Sequence, residues 1–597
     1  MLAKKRKDEV TMYLENINEP KDIKALTKEA LPVLSQEIRS ALLEKLSKHG
    51  GHVGPNLGVV ELTVALHYVF DSPRDKIVYD VSHQSYVHKM LTGRKAAFLN
   101  EAQYDEVTGF SNPEESEHDF FTIGHTSTSI SLACGLAKAR DLKKERDNII
   151  AVIGDGSLSG GEAYEGLNNA VEQGTNMIVI VNDNEMSIAE NHGGLYQNLR
   201  ALRESHGTCK DNFFQALGFA YYYVADGHDY SSLLDTLQKV KDCDHPVVVH
   251  VHTTKGKGYI PAEADKETWH YGSPFDLEQK QESHENQQED YSNLTAEFLL
   301  KEMKQDASVV AISAGTPTVI GFHKERRAVA GSQFLDVGIA EEHAVALASG
   351  IAKNGGKPVF GVYATFVSRA YDQMIQDLCI NSNPATILVY WAGAYGMNDV
   401  THLGLFDIAM MSHIPNLVYL APTSKEEYFA MLSWSMKQDK HPVAIRVPAM
   451  SVVESSDLVD DDYSDINTYQ MSKAGSQIAL LALGDFYPMG KDIVTALEKA
   501  YGIEATLINP RFASGLDIHM LEELKKDHSL VVTLENGILE GGFGEKIASY
   551  YGDSSMLVKN FGIAKGFPDR YDAVELLKEN GISVEQICSY IINKLSN

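Results

Sequence analysis

The sequence predicts an α/β protein with three domains, each built on a mostly parallel β-sheet flanked by helices. Short, continuous apolar runs of the kind found in buried parallel strands alternate with segments of helical periodicity along the chain. Two polar, acidic stretches without apolar periodicity, 276–292 and 454–475, interrupt this alternation. The length of 597 residues also favours about three or four domains.

The first domain, residues 1–275, contains a strand, a helix and a second strand in close succession. The run "NIIAVIGDG" predicts a strand over 149–153 that ends in a glycine turn. The segment "EAYEGLNNAVEQG" has helical periodicity and stops at Gly174, and "NMIVIVNDNEM" predicts a second buried strand over 177–181. Strand, helix and strand at this spacing indicate a βαβ unit in a parallel sheet.

The stretch 276–292 is interpreted as a linker, and two further α/β domains follow it. The second domain, 293–455, contains the apolar runs "SVVAISAG", "KPVFGVYATF", "ATILVYWAG" and "NLVYLAPTS". The third, 470–597, has strands predicted in "QIALLALGD", "EATLINPRF" and "SLVVTLEN". Its "EGGFG" segment lacks the lysine and the serine or threonine of a P-loop. These glycines are therefore interpreted as turn and packing positions at a subunit interface.

The composition argues against several classes of partner. Hydrophobic residues make up 44% and charged residues 23% of the chain, as in ordinary globular proteins. With 53 basic against 82 acidic residues, the net charge of −29 would repel nucleic acid and anionic membranes, so neither is expected as a partner. No apolar run approaches the roughly 18 residues that span a bilayer, and the basic start lacks the apolar core of a secretory signal.

Cysteine usage predicts a cytoplasmic location. The five cysteines are scattered singly, without a CxxC pair or a metal-ligand spacing. Such usage fits a reducing compartment and argues against a disulfide framework.

A glycine-flanked aspartate and an asparagine loop form a candidate metal site. Asp155 lies between Gly154 and Gly156 at the end of the first predicted strand, and Asn184 lies 29 residues later, at the end of the next. Because ligands bind at the carboxyl ends of parallel strands, the two loops can share one ion. Mg²⁺ prefers oxygen ligands, here the Asp155 carboxylate, the Asn184 amide oxygen and the backbone carbonyl of Met186. The alternative is that "GDG" is only a tight turn and "NDN" a polar loop.

Longer motifs add a family resemblance to this pair of loops. They include "YDVSHQSYVHKMLTGR", "GHTSTSISLACGLAKARD", "DVGIAEEHAVALASG", "YATFVSRAYDQMIQD" and "THLGLFD". With them, the chain resembles the 1-deoxy-D-xylulose-5-phosphate synthase family of the transketolase superfamily, from about residue 20 to the end. The resemblance implies a transketolase-like fold, thiamine diphosphate and Mg²⁺ as cofactors, and a homodimer.

The resemblance also implies a reaction. Pyruvate is decarboxylated and its two-carbon unit is transferred to glyceraldehyde 3-phosphate, which gives 1-deoxy-D-xylulose 5-phosphate and CO₂. This product is a precursor for isoprenoids and thiamine. Two alternatives remain open: a transketolase-like transfer of a ketol unit between sugars, and a non-catalytic relative used for binding or regulation.

The resemblance assigns roles to particular side chains. Glu341 becomes the glutamate that activates the cofactor, although acidic residues favour helix N-termini in any case. His52, His270 and His402 are assigned to substrate and intermediate, since histidine suits proton transfer near neutrality. The cofactor surroundings are assigned to a set of loop residues: His83, His125, Thr126, Ser127, Gly154, Asp155, Gly156, Ser157, Asn184, Met186 and Phe366. Phe366 would stack on the pyrimidine ring or pack in the core.

The expected acceptor site departs from the family pattern. Trp391 in "YWAG" and Ala449 in "IRVPAM" replace two arginines that grip the acceptor's phosphate, while Arg446 is retained. Arginine suits phosphate because its planar fork forms two parallel hydrogen bonds. The departures therefore suggest an acceptor that is unphosphorylated or is bound by other residues.

Other acceptor-site positions match the family in part. Asn398 takes the position of the family aspartate in "GMND", with Asp399 one residue later. Tyr363 and Arg369 do match, and all four are assigned to substrate together with Trp391.

Overall fold

The computed structural model of the protein describes residues 12–277 and 289–596. The chain divides in sequence into two compact units, Met1–Glu285 and Asn286–Asn597. Of the predicted linker 276–292, residues 278–288 lie outside the described residues.

The first unit contains one five-stranded parallel sheet. Its strands are β1 Lys76–Tyr79, β2 Ile149–Gly154, β3 Met177–Asp183, β4 Ala220–Val224 and β5 Pro246–His252. They lie in the order β1-β2-β3-β5-β4, with every pairing parallel. Its helices are α1 Pro20–Lys24, α2 Leu31–His49, α3 Val53–Gly58, α4 Val60–Val69, α5 Tyr86–Lys89, α6 Ala96–Leu99, α7 Ser129–Lys143, α8 Gly161–Gln173, α9 Gly194–Glu204, α10 Phe213–Leu217, α11 Tyr230–Val240 and α12 Ile260–Ala264.

The predicted βαβ unit is present as β2, α8 and β3. Helix α8 ends where Gly174 adopts a left-handed conformation with φ of 62°, which glycine tolerates without a Cβ clash. Alternate residues of β2 and β3 pack into two hydrophobic cores on opposite faces of the sheet. Ile178 and Ile180 belong to one core, and Met177, Val179 and Val181 belong to the other. Burial on both faces explains the continuous apolar runs.

The second unit contains two sheets. Its strands are β6 Val309–Ser313, β7 Phe334–Asp336, β8 Lys357–Tyr363, β9 Thr386–Tyr390, β10 Val418–Leu420, β11 Val443–Arg446, β12 Gln470–Lys473, β13 Gln477–Ala482, β14 Thr506–Asn509, β15 His528–Ile538 and β16 Leu557–Ile563. The six-stranded sheet has the order β10-β11-β9-β8-β6-β7, and the five-stranded sheet has the order β12-β14-β13-β15-β16. All of their pairings are parallel except that of β12 with β14.

Helices cover these two sheets as well, and the predicted α/β class is confirmed. They are α13 Tyr291–Met303, α14 Lys324–Ala330, α15 Glu341–Lys353, α16 Tyr371–Gln373, α17 Asp407–Met411, α18 Lys425–Lys437, α19 Tyr487–Tyr501, α20 Ile518–Leu524, α21 Phe543–Tyr551, α22 Ala573–Glu579 and α23 Val584–Leu595. Within the described ranges, no helix is both long enough and apolar enough to cross a bilayer. Each of the five cysteines is a free thiol.

Candidate active site

The loops that follow β2 and β3 lie side by side, as the sequence predicts. Gly154 is paired with Asn182 across the two strands, and the Asp155 N–H donates to the Asn182 carbonyl at 3.1 Å. Asp155 is only 1% exposed, and its Oδ2 accepts a hydrogen bond from Asn191 Nδ2 at 2.8 Å. Burial, together with the nearby charge of Asp183, raises the pKa of Asp155 well above its ordinary value. A buried carboxylate in this position would be stabilised by a cation.

The remaining atoms of the loop pair fit a hard cation. Asn184 Oδ1 is buried and makes no hydrogen bond within the described residues. A Cβ on Gly156 would lie 2.9 Å from the Cα of Ser187, so only glycine lets the two loops approach this closely. One carboxylate, one amide oxygen and the adjacent Met186 carbonyl form a donor set of the type Mg²⁺ binds. The parts of the chain that the structure covers hold no cluster of three or more His, Cys, Asp or Glu side chains arranged for a metal.

A buried lysine that the sequence analysis missed reaches the same loop. Lys255 Nζ donates to the carbonyl oxygen of Ser187 at 2.7 Å. Burial lowers the pKa of Lys255 to about 7, although the charge of Asp155 opposes this shift. The signal in the sequence is "TTKGKGY", in which Lys255 comes shortly after β5 and is followed by Gly256.

Three of the assigned histidines form one cluster in the first unit. The ring centroids of His52 and His83 are 5.0 Å apart, and that of His270 lies 5.7 Å and 5.3 Å from them. Phe110 and Tyr271 pack against His52 at 5.8 Å and 5.1 Å. Burial, with the nearby charge of Lys255, lowers the pKa of His270 well below its ordinary value. A neutral imidazole can donate one hydrogen bond and accept another.

Asp80, also missed, fixes the segment that carries His125, Thr126 and Ser127. Its carboxylate accepts hydrogen bonds from the backbone N–H groups of Ser127 at 2.8 Å and Ser129 at 3.0 Å. Ser127 Oγ donates to the Ser157 carbonyl at 2.7 Å, which ties this segment to the loop after β2. The available signal was an aspartate directly after the apolar run "KIVY" of β1.

In the second unit, Glu341 is the first residue of α15 and is buried. Burial raises the pKa of its carboxyl to about 7, although the positive charge of Arg369 opposes the shift. A guanidinium nitrogen of Arg369 lies 3.7 Å from Oε2 of Glu341. In the described parts of the chain, this Oε2 has no hydrogen-bond partner. The carboxyl can therefore hold or release a proton near neutral pH.

Aromatic and histidine side chains lie around the loop after β8. The ring of Phe366 is 5.7 Å from that of Tyr363 and 5.7 Å from that of His402, both in edge-to-face contact. His402 Nδ1 lies 2.7 Å from Thr401 Oγ1, and burial lowers the pKa of His402 to about 4. Burial also raises the pKa of Tyr363 to about 12. His402 is therefore uncharged at neutral pH.

Loop 391–404 holds the other residues assigned to substrate. Trp391 is 45% exposed and has a φ of 58°, unusual for a bulky side chain. Asn398 Nδ2 donates to the backbone carbonyl of Tyr571 at 2.9 Å, and the backbone carbonyl of Asn398 accepts the Arg570 N–H at 2.7 Å. The Asp399 carboxylate accepts hydrogen bonds from the N–H and hydroxyl of Thr401. Asn398 and Asp399 thus brace the loop within the protein, and their roles toward substrate stay predictions.

Comparison with known proteins assigns the chain to a family. The family profile described as 1-deoxy-D-xylulose-5-phosphate synthase matches residues 14–210 and 204–253, and those of the transketolase pyrimidine-binding and C-terminal domains match 287–453 and 468–587. The chain is 40% identical to the 1-deoxy-D-xylulose-5-phosphate synthase of Alkaliphilus oremlandii, over 98% of this chain and 99% of that protein. The chain belongs to the 1-deoxy-D-xylulose-5-phosphate synthase family. The resemblance inferred from the motifs is confirmed.

The chain is also similar to a second synthase and, at low identity, to a solved transketolase structure. The synthase of Halalkalibacterium halodurans is 37% identical over 97% of this chain and 98% of its own length. The transketolase of Campylobacter jejuni matches 95% of this chain and 100% of its own, at 17% identity and a TM-score of 0.44.

Arg446, the retained arginine of the synthase pattern, is completely enclosed. Its guanidinium makes ion pairs with Asp407 at 2.8 Å and Asp485 at 3.1 Å, and it donates to the Asn536 carbonyl at 2.6 Å. Asn536 in turn accepts the Ala394 N–H at 2.8 Å and so holds loop 391–404. In this member of the synthase family, Arg446 links the two sheets of the second unit through groups of the chain itself.

The glycine-rich "EGGFG" segment has an internal partner for its helix start. Glu535 accepts hydrogen bonds from the backbone N–H groups of Phe543 at 2.8 Å and Gly544 at 2.7 Å. These are the first two residues of α21, and their N–H groups, which have no partner within the helix, would otherwise attract an anion. The chain's own carboxylate therefore occupies the position that a phosphate would take.

Proposed function

We propose that the protein decarboxylates pyruvate and transfers the two-carbon unit to glyceraldehyde 3-phosphate, giving 1-deoxy-D-xylulose 5-phosphate and CO₂. The observation that carries this proposal is the near-full-length similarity to the synthases, together with two features of the candidate site. One is the Asp155 and Asn184 loop pair, and the other is the buried Glu341. The curated relatives are named as synthases of 1-deoxy-D-xylulose 5-phosphate, the product of this reaction.

The loop pair after β2 and β3 would hold Mg²⁺ and the diphosphate of thiamine diphosphate. Asp155 and Asn184 supply side-chain oxygens and Met186 a carbonyl, and Gly154 and Gly156 let the backbone approach a diphosphate closely. Bound thiamine diphosphate supplies a thiazolium ring that stabilises a carbanion. His83 and the 125–127 segment with Ser157 would surround it.

Glu341 would act on the aminopyrimidine ring of the cofactor. Its carboxyl has a pKa of about 7 because it is buried, so it can donate a hydrogen bond to a ring nitrogen at neutral pH. Phe366 would provide a stacking face for the same ring. Tyr363 and Arg369 would contact the substrate, and Arg369 opposes complete protonation of Glu341.

The histidines would exchange protons with the substrate and the developing product. His52 and His270 are in contact in the first unit, and His402 is uncharged because burial lowers its pKa to about 4. An uncharged imidazole can accept a proton from a hydroxyl group or hydrogen-bond a developing alkoxide.

A second candidate concerns the acceptor, which would be an unphosphorylated aldehyde. It is favoured by the enclosure of Arg446 between two carboxylates, combined with Trp391 and Ala449 at the other two arginine positions. Trp391 is half-exposed and would offer an apolar stacking face to such an acceptor.

The protein is further proposed to be a cytoplasmic homodimer. A groove of about 760 Å³ runs along α15 and is lined by residues that include Ala346, Leu347, Gly350 and Ile351. Small and apolar residues on one helix face suit close packing against a second copy. Sedimentation of the unaltered protein and of the Leu347→Glu variant measures whether each is a monomer or a dimer. A monomer in both cases would contradict it.

The function is tested by CO₂ release from pyruvate with thiamine diphosphate and Mg²⁺. The reaction is run with glyceraldehyde 3-phosphate, with glyceraldehyde and without acceptor. Selective stimulation by the phosphorylated aldehyde supports the first proposal, and stimulation by glyceraldehyde alone supports the second. No release under any condition overturns the pyruvate proposal. Ketose donors would then test transketolase-like transfer, and bound cofactor without turnover on any donor would indicate a non-catalytic relative.

A further inference from the structure

The aspartate at the centre of "NDN" is the last residue of β3, where alternation along the strand turns it to the opposite face from Asn182. Side chains alternate between the two faces of a strand. In β3 the odd-numbered residues Met177, Val179 and Val181 pack into the core that contains Val248 and Phe214. Asp183 continues this odd-numbered series and is completely buried. Asn184 follows directly after the end of β3, and its buried Oδ1 has no hydrogen-bond partner in the described part of the chain.

The Asp183 carboxylate lies at the end of a short buried hydrogen-bonded series. His250 Nε2 is 2.8 Å from Asp183 Oδ2, and the Tyr221 hydroxyl is 2.8 Å from His250 Nδ1. Arg203 forms an ion pair with the same oxygen of Asp183. His250 and Asp183 are both 0% exposed, and each strand that contributes to the series is a parallel neighbour in the sheet.

The other carboxylate oxygen of Asp183 holds the turn that contains Asn184. Oδ1 of Asp183 accepts the backbone N–H of Glu185, two residues later, at 3.2 Å. Glu185 has a φ of 66°, a left-handed conformation that such an aspartate turn stabilises. Glu185 is held further by Arg203 at 3.1 Å and His252 at 3.4 Å. The backbone on both sides of Asn184 is thus fixed by contacts of Asp183 and Glu185 with Arg203, His250 and His252.

We infer that Asp183, supported by His250 and Tyr221, is a positioning residue that aims the Asn184 amide oxygen at the metal site and does not itself bind the ion. This inference rests on the proposed function, because it assumes that the loop pair holds a divalent cation. Groups behind metal ligands set ligand orientation, and their loss typically weakens metal binding by about 10- to 100-fold.

The test measures metal affinity directly. Mn²⁺ serves as a paramagnetic substitute for Mg²⁺, and its binding to the full-length protein with thiamine diphosphate is followed by electron paramagnetic resonance. In Asp183→Asn, a single amide oxygen can serve either the Glu185 N–H or the His250 and Arg203 donors, but not both sets. We expect its Kd for Mn²⁺ to rise by about tenfold or more.

Two further variants make the result specific. Tyr221→Phe keeps the ring and removes only the hydrogen bond to His250, so we expect a smaller rise in Kd, about two- to tenfold. Asp75→Asn is the matched control, because Asp75 is also a buried aspartate of the same unit. Its carboxylate accepts the N–H of Asn148 at 2.8 Å, just before β2 begins, and so lies at the amino ends of the strands, whereas Asp183 lies at a carboxyl end. Asp75→Asn should lower thermal stability without changing the Kd.

The outcomes separate the inference from the proposed function. If the unaltered protein binds Mn²⁺ and Asp183→Asn binds it equally well, the inference is wrong and the metal site stands. Equal weakening by Asp75→Asn would also overturn it, since the effect would then be one of general stability. If the unaltered protein binds no Mn²⁺ with thiamine diphosphate, the metal site itself is wrong, and the inference fails with it.

Discussion

The substitution Glu341→Gln should separate the cost of burying this carboxyl from its role in activity. Burial raises the pKa of Glu341 from an ordinary 4.5 to about 7. Below pH 4.5 the carboxyl is protonated in both the folded and the unfolded state, so burying it carries no ionisation cost. The contribution of this group to the free energy of unfolding is therefore at its largest there. That contribution is lost as the pH rises from 4.5 through 7, because over this range the unfolded state releases the proton while the folded state still holds it.

The size of the effect follows from the shift. Each pKa unit corresponds to about 1.4 kcal/mol, so the ionised carboxylate costs roughly 3 kcal/mol of folding free energy above the folded-state pKa. Part of this cost is already present at pH 5. The difference in free energy of unfolding between Glu341→Gln and the unaltered protein should therefore move in favour of the variant by about 2.5 kcal/mol between pH 5 and pH 8.

Urea unfolding of the cofactor-free protein at a series of pH values provides the measurement. The matched control is Glu342→Gln, because Glu342 is the next residue of α15 and is only partly buried. Its difference should change much less with pH, because the charge of Glu342 is only a minor cause of the raised pKa of Glu341. CO₂ release by Glu341→Gln should fall at least 100-fold, consistent with the loss of a general acid. A difference between Glu341→Gln and the unaltered protein that stays constant with pH would refute the reasoning.

Three further predictions concern the loop pair and the buried arginine. Gly156→Ala should weaken binding of thiamine diphosphate with Mg²⁺ about tenfold in calorimetry, because its Cβ would meet Ser187 at 2.9 Å. Gly161→Ala, where a Cβ meets nothing within 4 Å, should bind normally. Removal of divalent metal with EDTA should abolish CO₂ release and Mg²⁺ should restore it, since Asn184 Oδ1 has no other partner among the described residues. Retained activity after EDTA would contradict the site. Arg446→Met should lower the free energy of unfolding by about 3 to 5 kcal/mol in urea, because it leaves two buried carboxylates without their cation. An unchanged midpoint would mean that Arg446 is not enclosed as described.

The sequence predicted those parts of the fold that depend on local pattern. The strand, helix and strand around Asp155 were predictable because both strands are buried on two faces and a glycine ends the helix between them. The adjacency of Asp155 and Asn184 followed from the geometry of parallel strands. The edge strand β12, by contrast, lies inside the polar stretch 454–475, where exposed side chains hide its extended backbone.

Long-range pairings could not be predicted in the same way. The partners of Arg446 are Asp407 and Asp485, each 39 residues away in opposite directions, and no local pattern links them. Asp80 and Lys255 were missed because a single polar residue after an apolar run has many structural explanations. The orientation of Asp183 required the register of three strands, which only the folded sheet supplies.

The Glu535 carboxylate at the start of α21 has a consequence for motif searches. Whether a glycine-rich turn before a helix binds phosphate depends on which group reaches the first N–H groups of that helix. Here that group comes from the preceding strand, eight residues before Phe543 and outside the glycine-rich segment. A pattern that asks only for a glycine-rich turn before a helix, without the P-loop lysine, would therefore count this segment among phosphate-binding loops. Adding the last residues of the preceding strand to the pattern, and asking whether they include a carboxylate, would remove such false matches.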